Sequence, residues 1–294
     1  MSTSRLELML RRDRAVILGA IAAVATLAWV YVIWFAANMG ASPIAGADMP
    51  GMTIPGTTMP GMTMPSPEMP GMAMPGMEMG TALAPALRGW SVGDFAFMFA
   101  MWTIMMVGMM LPSVAPMLLI YAGVARQAGS RGKPFAATAW FATGYLLAWT
   151  AFSMLATSAQ WALESALLLT PMTGISPALG GIVLIVAGVY QCTLLKDVCL
   201  SACQSPLQFI MRHGGFRPDP LSAMNLGAEH GIYCIGCCWA LMAILFAVGI
   251  MNLLWVAAIA AFILLEKLVG PSRLLSRVAG VGLIAAGAWM LLAN

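Results

Sequence analysis

The chain has 294 residues, of which 61% are apolar and only 9% are charged, and its formal net charge is +3. Soluble globular proteins carry about 25% charged residues, so a soluble fold of this size could not hide so much apolar surface from water. The small net charge and the lack of a basic patch interleaved with aromatic residues argue against a nucleic-acid-binding protein. The composition therefore predicts an all-α, polytopic helical membrane bundle.

The first predicted element is a membrane span over residues 15–37. Residues 1–14 carry four arginines, and the 23 residues that follow are apolar without interruption. A secretory signal also has basic residues before an apolar stretch, but that stretch is only about 7–15 residues long. We therefore expect an uncleaved first helix rather than a cleaved signal.

Residues 38–89 form a segment of a different kind, rich in Pro, Gly and Met, that repeats the units MPGMTIPG, MPGMTMP and MPGMAMPGM. This density of proline and glycine predicts a flexible loop. Eleven methionines lie between Met39 and Met79. Their thioethers are soft neutral ligands that suit Cu(I), whereas the three carboxylates are too sparse for a Ca²⁺ or Mg²⁺ loop. We expect metal capture here, with a low-complexity tether as the alternative.

Six further apolar stretches predict a six-helix, metal-binding membrane domain over residues 90–294, and hence about seven transmembrane helices in all. These stretches are 95–121, 135–155, 178–195, 233–249, 253–266 and 278–292. Residues 231–266 could instead form one bent helix. A continuous helix over the 34 residues 233–266 would reach about 50 Å, far beyond the hydrocarbon, so we expect two spans that meet at residues 249–252.

The basic residues predict the orientation of the bundle. With the N-terminus in the cytoplasm, thirteen of the fourteen Lys and Arg residues fall on the cytoplasmic side, and only Arg88 falls outside. Cytoplasmic loops are enriched in Lys and Arg. We therefore expect a cytoplasmic N-terminus, an extracytoplasmic Met-rich loop and an extracytoplasmic C-terminus.

The second span carries a dense set of methionines. Met101, Met105 and Met109 are spaced to share one face of a helix, and Met106 and Met110 form a neighbouring stripe. Stacked thioethers would pass a soft ion along the helix. The alternative is that these flexible side chains only fill gaps between helices. The Met-rich loop just upstream favours the metal-binding interpretation.

The cysteines and one histidine form a third pattern. Cys192, Cys199 and Cys203 end the fourth span, and His230, Cys234, Cys237 and Cys238 begin the fifth. We expect each set to occupy one helix face at the cytoplasmic side, where thiols stay reduced and can bind a soft metal. Copper, as Cu(I), is the expected metal, with zinc as the weaker alternative. Cysteines used merely as small apolar filler would not all gather at one membrane depth.

Charged residues near these cysteines include Lys196, Asp197, Glu229, Glu266 and Lys267. Helix ends at a membrane interface normally carry charge, so we expect only supporting roles for them. The sequence contains no phosphate-binding GxxxxGK[ST] loop and no HExxH or GxSxG motif. We therefore expect neither ATP-driven pumping nor an enzyme.

Three blocks of the sequence carry a family resemblance: MWTIMMVGMMLPSVAPM, YQCTLLKDVCLSACQSP and HGIYCIGCCWALM. Over about residues 90–294, the chain resembles a bacterial family of predicted metal-binding integral membrane proteins, some of them described as membrane copper chaperones that serve copper-enzyme maturation. The resemblance implies copper handling in the bacterial inner membrane. It points to Met101, Met105, Met106, Met109 and Met110 and to Cys199, Cys203, Cys234, Cys237 and Cys238.

These observations predict a copper chaperone or transporter that moves or delivers Cu(I) through Met and Cys ligands. Expected partners are the lipid bilayer and a periplasmic or membrane copper enzyme or a soluble copper carrier. Two other functions stay open: an assembly subunit of a larger membrane complex, and a membrane thiol-disulfide oxidoreductase that uses the cysteine pairs.

Overall fold

The computed structural model describes residues 3–39, 90–130, 138–166, 169–170, 174–216, 219–250, 252–269 and 273–293. Its helices are α1 (Thr3–Met39), α2 (Val92–Met110), α3 (Ala115–Ser130), α4 (Thr138–Ser165), α5 (Pro177–Gln191), α6 (Leu194–Gln204), α7 (Pro206–Arg212), α8 (Pro220–Val248), α9 (Leu253–Leu268) and α10 (Arg273–Leu292). A two-stranded antiparallel pair, β1 (Leu169–Thr170) and β2 (Gly174–Ile175), joins α4 to α5. The all-α prediction is confirmed. The Met-rich loop was predicted over residues 38–89; residues 38 and 39 belong to α1, and residues 40–89 lie outside the described ranges.

Five helical segments are long and apolar enough to cross a membrane, or six if the bent pair α5–α6 is one span. Helix α9 has 16 residues and is shorter than the about 20 residues of a full span. Large apolar side chains such as Leu27, Leu155 and Trp289 are exposed on the outside of the bundle, as lipid-facing residues would be. The count of seven spans and the orientation of the termini stay predictions.

Helix α2 carries the predicted methionine stripe and has a defined start and end. Ser91 and Asp94 form a capping box, in which each side chain accepts a hydrogen bond from the other residue's backbone N–H. At the far end Pro112, which has no N–H and restricts the residue before it, starts a short 3-10 turn over Pro112–Val114. The chain then continues as α3, so the break lies directly after Met110.

Helix α8 is longer than the predicted fifth span. It begins at Pro220, where the side chain of Asp219 caps its first turn, and ends at Gly249, whose φ of 93° favours glycine. The predicted break between two helices at residues 249–252 is confirmed, since α9 starts only at Leu253. The expectation that the cysteines begin this helix is wrong, because Cys234 lies midway along it.

A bend of 64° separates α5 from α6. Thr193 caps α6 through its side-chain oxygen, which accepts from the Lys196 N–H, while its hydroxyl donates to the Tyr190 carbonyl of α5. The expectation that Cys192, Cys199 and Cys203 share one helix face is therefore wrong. Cys192 ends α5, whereas the other two cysteines lie on α6.

Glycines allow α4 and α8 to pack backbone against backbone. A Cβ on Gly144 would lie 1.8 Å from the Met224 carbonyl oxygen, and one on Gly227 would lie 2.0 Å from the Phe141 carbonyl oxygen. Small residues of this kind are the usual means of close helix contact in membranes. The close approach brings Tyr145 of α4 against Cys234 of α8.

Candidate metal centre

Four of the six cysteines gather in the middle of the bundle. Cys234, Cys237 and Cys238 on α8 are buried, with exposed fractions of 1%, 2% and 1%. The thiol of Cys203, which approaches them from α6, is partly buried and lies close to Cys234 and Cys237. Cys234 is also in contact with the thiol of Cys238, so it lies at the centre of the group. We call these four residues the thiol cluster.

A lysine approaches the thiol cluster from the end of α9. Lys267 Nζ donates a hydrogen bond to Cys234 Sγ at 2.9 Å and another to Ser113 Oγ at 2.8 Å. The side chain is only 8% exposed, so its charge is held inside the protein. A buried charge is costly unless it is paired, and the sulfur of Cys234 is the partner that the geometry supplies.

The methionine helix ends against the same cluster. The hydroxyl of Tyr145 lies 3.2 Å from Cys234 Sγ and donates to the Met110 carbonyl oxygen at 3.2 Å. One phenol therefore bridges the last residue of α2 and the central cysteine. It positions the end of the predicted methionine stripe next to the thiols.

All five predicted methionines of α2 are buried, with exposed fractions of at most 4%. They are Met101, Met105, Met106, Met109 and Met110. Burial by itself fits a gap-filling role as well as a metal-binding one.

At the opposite end of α2, Gln160 Nε2 lies 3.9 Å from the Met98 sulfur, and Gln160 also bonds Trp102 and Glu164. The helix is therefore held at both ends by polar side chains of α4.

His230 is buried one turn before Cys234 on α8, with an exposed fraction of 2%. Its ring packs near Phe141, Tyr145 and Phe209. Its Nδ1 atom has no hydrogen-bond partner among the described residues. Buried polar atoms are nearly always satisfied, so this unpaired nitrogen is an exception among the buried polar atoms of the described residues.

The remaining two cysteines lie at or beyond the edge of the cluster. The sulfur of Cys199 is close enough to Gly236 that a Cβ there would lie 2.7 Å from it. Cys192 is exposed, and its sulfur packs against Gly280 of α10 instead. The structure thus brings Cys203, Cys234, Cys237 and Cys238 together, places Cys199 beside them, and excludes Cys192.

The thiols are gathered but are not arranged around a common point. Within the described part of the chain, no three His, Cys, Asp or Glu side chains have the geometry to hold a metal ion. The thiols of Cys237 and Cys238 instead both donate to the Cys234 carbonyl oxygen of their own helix, at 3.0 Å.

Three of the five charges near the cluster, Lys196, Glu266 and Lys267, are buried and are not the solvated helix ends that the sequence predicted, whereas Glu229 is exposed. Lys196 is fully buried and donates to both carboxylate oxygens of Glu266, at 2.7 and 2.8 Å. Lys196 also bonds Gln191, and the hydroxyl of Ser276 donates to Glu266 Oε1 at 2.7 Å. Two of the thirteen basic residues that favoured a cytoplasmic N-terminus, Lys196 and Lys267, are therefore interior charges rather than loop charges.

Sequence reasoning missed the roles of Tyr145, Ser113 and Lys267. The one signal in the sequence was the adjacent pair of opposite charges, Glu266 and Lys267, at the end of an apolar stretch. Neighbouring residues on a helix point in different directions, so the two charges serve different groups. Glu266 meets Lys196, whereas Lys267 meets Cys234.

Comparison with known families gives a match, which covers most of the helical region of the chain. A family model described as copper chaperone (PpoB2) matches residues 99–290, which is more than half of the chain. No curated protein and no solved structure matches the chain. The matched region contains all the cysteines, both histidines and the five predicted methionines of α2. The resemblance seen in the three sequence blocks is therefore confirmed, and the chain belongs to the PpoB2 family of copper chaperones.

Proposed function

We propose that this protein is a copper chaperone of the bacterial inner membrane that binds Cu(I) through cysteine and methionine sulfur. It is a carrier rather than an enzyme. It hands the ion to a periplasmic or membrane copper enzyme, or to a soluble copper carrier, for enzyme maturation. Family membership supports copper as the cargo, and the chemistry of the buried side chains supports the ligands and the oxidation state.

The observation that carries this proposal is the thiol cluster at the end of the methionine helix. Three buried cysteines and a fourth from α6 place soft sulfur donors together in the bundle interior. Thiolate and thioether sulfurs are soft donors that suit Cu(I). Rotation of Cys237 and Cys238 away from the Cys234 carbonyl would complete a site for a copper ion of low coordination number.

Charge balance is met by Cu(I) on two thiolates of the cluster. Two thiolates and one Cu(I) carry a net charge of −1, and the ammonium of Lys267 beside Cys234 brings the total to zero. Unbalanced charge in a medium of low dielectric constant is costly, so Lys267 would stabilise an anionic copper–thiolate site.

The buried methionines of α2 provide a route to the cluster. Copper collected by the extracytoplasmic Met-rich loop would move along α2 from Met98 to Met110 and then to Cys234. Neutral thioethers hold Cu(I) more weakly than thiolates do, so the ion would move toward the cluster. Transfer away from the cluster requires an acceptor that binds Cu(I) still more tightly.

A second candidate function is thiol-disulfide exchange, because Cys203 on α6 contacts Cys234 and Cys237 on α8. All six cysteines are free thiols. A redox role requires one pair to cycle to a disulfide when its partner is oxidised. Trapping of free thiols in cells with and without an oxidant separates this function from copper binding.

A third candidate function is that of an assembly subunit of a larger membrane complex. It predicts that cysteine replacement leaves the activity of the partner complex intact.

The proposal is tested by measuring copper bound per molecule of the purified full-length protein after anaerobic incubation with Cu(I). The triple replacement of Cys234, Cys237 and Cys238 by Ser should lose the tightly bound copper. Cys192→Ser is the matched control and should bind as the wild type does, because Cys192 lies away from the cluster. Unchanged Cu(I) binding by the triple variant would refute the assignment of these thiols as the Cu(I) ligands.

A further inference from the structure

We propose that the polar cleft beside His213 is a second, transient Cu(I) site, through which copper passes between the end of the bundle and the thiol cluster by way of His230. This inference rests on the proposed function and adds a docking point and a direction of access to it. Neutral imidazole nitrogen is a ligand for copper that exchanges readily with sulfur donors. Copper stays Cu(I) throughout, so the transfer is an exchange of ligands without oxidation or reduction.

His213 lies between two small cavities at the end of the bundle formed by α7 and the first half of α8. One cavity has a volume of about 140 Å³ and is lined by Tyr121, His213, Asn225 and Glu229, among others. The other has a volume of about 100 Å³ and is lined by Ser205, Phe209, His213 and Tyr233, among others. Both are polar and large enough for an ion with its water molecules. His213 belongs to both, so a ligand in either cavity can reach its ring.

The aromatic ring of Phe209 connects His213 to the buried histidine. The His213 ring stacks on Phe209 with centroids 4.2 Å apart, and the His230 ring meets Phe209 edge-on at 5.0 Å. The chain contains only two histidines, and both pack against this one ring. Phe209 is 2% exposed, so it separates the cavities from the interior. If the Phe209 side chain moved aside, an ion could pass from the His213 imidazole to the His230 imidazole.

One ring nitrogen of each histidine, His213 and His230, is left available to bind a metal ion. His213 Nδ1 lies 2.8 Å from the Phe209 carbonyl oxygen, which can only accept, so Nδ1 carries the hydrogen. In the neutral ring Nε2 is then the unprotonated nitrogen that binds a metal. The buried Nδ1 of His230 and the buried hydroxyl of Tyr121 have no hydrogen-bond partner within the described ranges. Both of these unpaired polar atoms lie along the proposed route.

The transfer of the ion from His230 to the thiol cluster needs no further residue. His230 and Cys234 are one turn apart on α8, so their side chains lie on the same face of that helix. An ion bound by His230 is therefore one ligand exchange from the central thiol of the cluster. The order of donors, from His213 to His230 to Cys234, runs from the exposed end of the bundle to its interior.

The test measures how fast copper leaves the protein. The full-length protein in detergent is loaded with Cu(I) and mixed with excess bathocuproine disulfonate, whose absorbance reports the copper transferred. His213→Asn should slow transfer by about tenfold or more, which corresponds to about 1.4 kcal/mol in the barrier. The amount of copper bound at equilibrium should not change. Ser205→Ala is the matched control, because it alters the same cavity without removing a nitrogen ligand, and it should release copper at the wild-type rate.

Rescue separates a ligand from a structural residue. His213→Met supplies a soft donor in place of imidazole and should release copper within about threefold of the wild-type rate. If His213→Asn releases copper as fast as the wild type, or His213→Met is as slow as His213→Asn, the route is wrong while the proposed function stands. A wild-type protein that holds no Cu(I) would overturn both.

Discussion

The ammonium nitrogen of Lys267 lies 2.9 Å from the sulfur of Cys234 in the interior of the bundle. This contact joins the end of α9 to the middle of α8. It also puts the one lysine charge of the cluster next to its central thiol. The same lysine bonds Ser113, directly after the break that ends the methionine helix. Three segments, α8, α9 and the turn that follows α2, therefore meet at one ammonium group.

The first prediction concerns this charge. Lys267→Met should weaken Cu(I) binding by about 10- to 100-fold, because a charge pair at about 4 Å is worth about 4 kcal/mol at the effective dielectric constant of about 20 that describes buried sites, and part of that is recovered by relaxation. Competition with a coloured Cu(I) chelator measures the affinity. Lys267→Arg keeps the charge and should stay closer to the wild type. Equal affinities of Lys267→Met and wild type would refute charge compensation.

The second prediction concerns the buried ion pair of Lys196 and Glu266. Glu266→Gln or Lys196→Met alone should lower the free energy of unfolding by about 3–5 kcal/mol, because each leaves the other group buried without a counter-charge. The double variant should recover part of this loss, since neither charge then remains. Denaturant unfolding of all four proteins in mild detergent measures the coupling. Additive effects in the double variant would mean that the two groups do not interact.

The third prediction concerns the close contact of α4 and α8. Gly227→Ala should lower the unfolding free energy by about 1–3 kcal/mol, because its methyl group would overlap the Phe141 carbonyl and push the helices apart. Gly282→Ala is the matched control, since no atom lies within 4 Å of a Cβ added there. It should be neutral or stabilising by up to about 1 kcal/mol. Thermal unfolding in detergent compares the two, and equal effects would contradict the packing argument.

The fourth prediction separates the two interpretations of the methionine stripe. Met105→Leu combined with Met109→Leu conserves volume and should cost less than about 1.5 kcal/mol per site in stability. The same double change should slow delivery of Cu(I) to the thiol cluster, because it removes two thioethers from the route. Met242→Leu, a buried methionine on α8, is the control for loss of a methionine elsewhere. Normal delivery in the double variant would show that these methionines only fill space.

The local features of the protein could be predicted from the sequence. Hydrophobic runs and caps are set by neighbouring residues, so helix class and the break at residues 249–252 followed from the sequence. The length of α8 did not, because its first turns mix apolar residues with Ser222, Asn225 and Glu229 and do not form a continuous apolar stretch. This error placed the predicted cysteine site at the start of the helix rather than in its middle.

Which residues share the site depended on contacts between helices. The spacing of Cys192, Cys199 and Cys203 suggested one face, but the 64° bend at Thr193 removed Cys192 from the group. The charges of Lys196, Glu266 and Lys267 looked like ordinary helix ends, and packing made them interior groups.

The sequence by itself determined that this chain is an apolar helical protein rich in soft sulfur ligands, because composition and periodicity are properties of the chain alone. Its three Met and Cys blocks also identified the family. Only the tertiary structure decided that Cys203, Cys234, Cys237 and Cys238 meet beside Lys267. The physical reason is that glycine-mediated packing of α4 on α8 and the turn from α8 into α9 bring together side chains that are far apart along the chain.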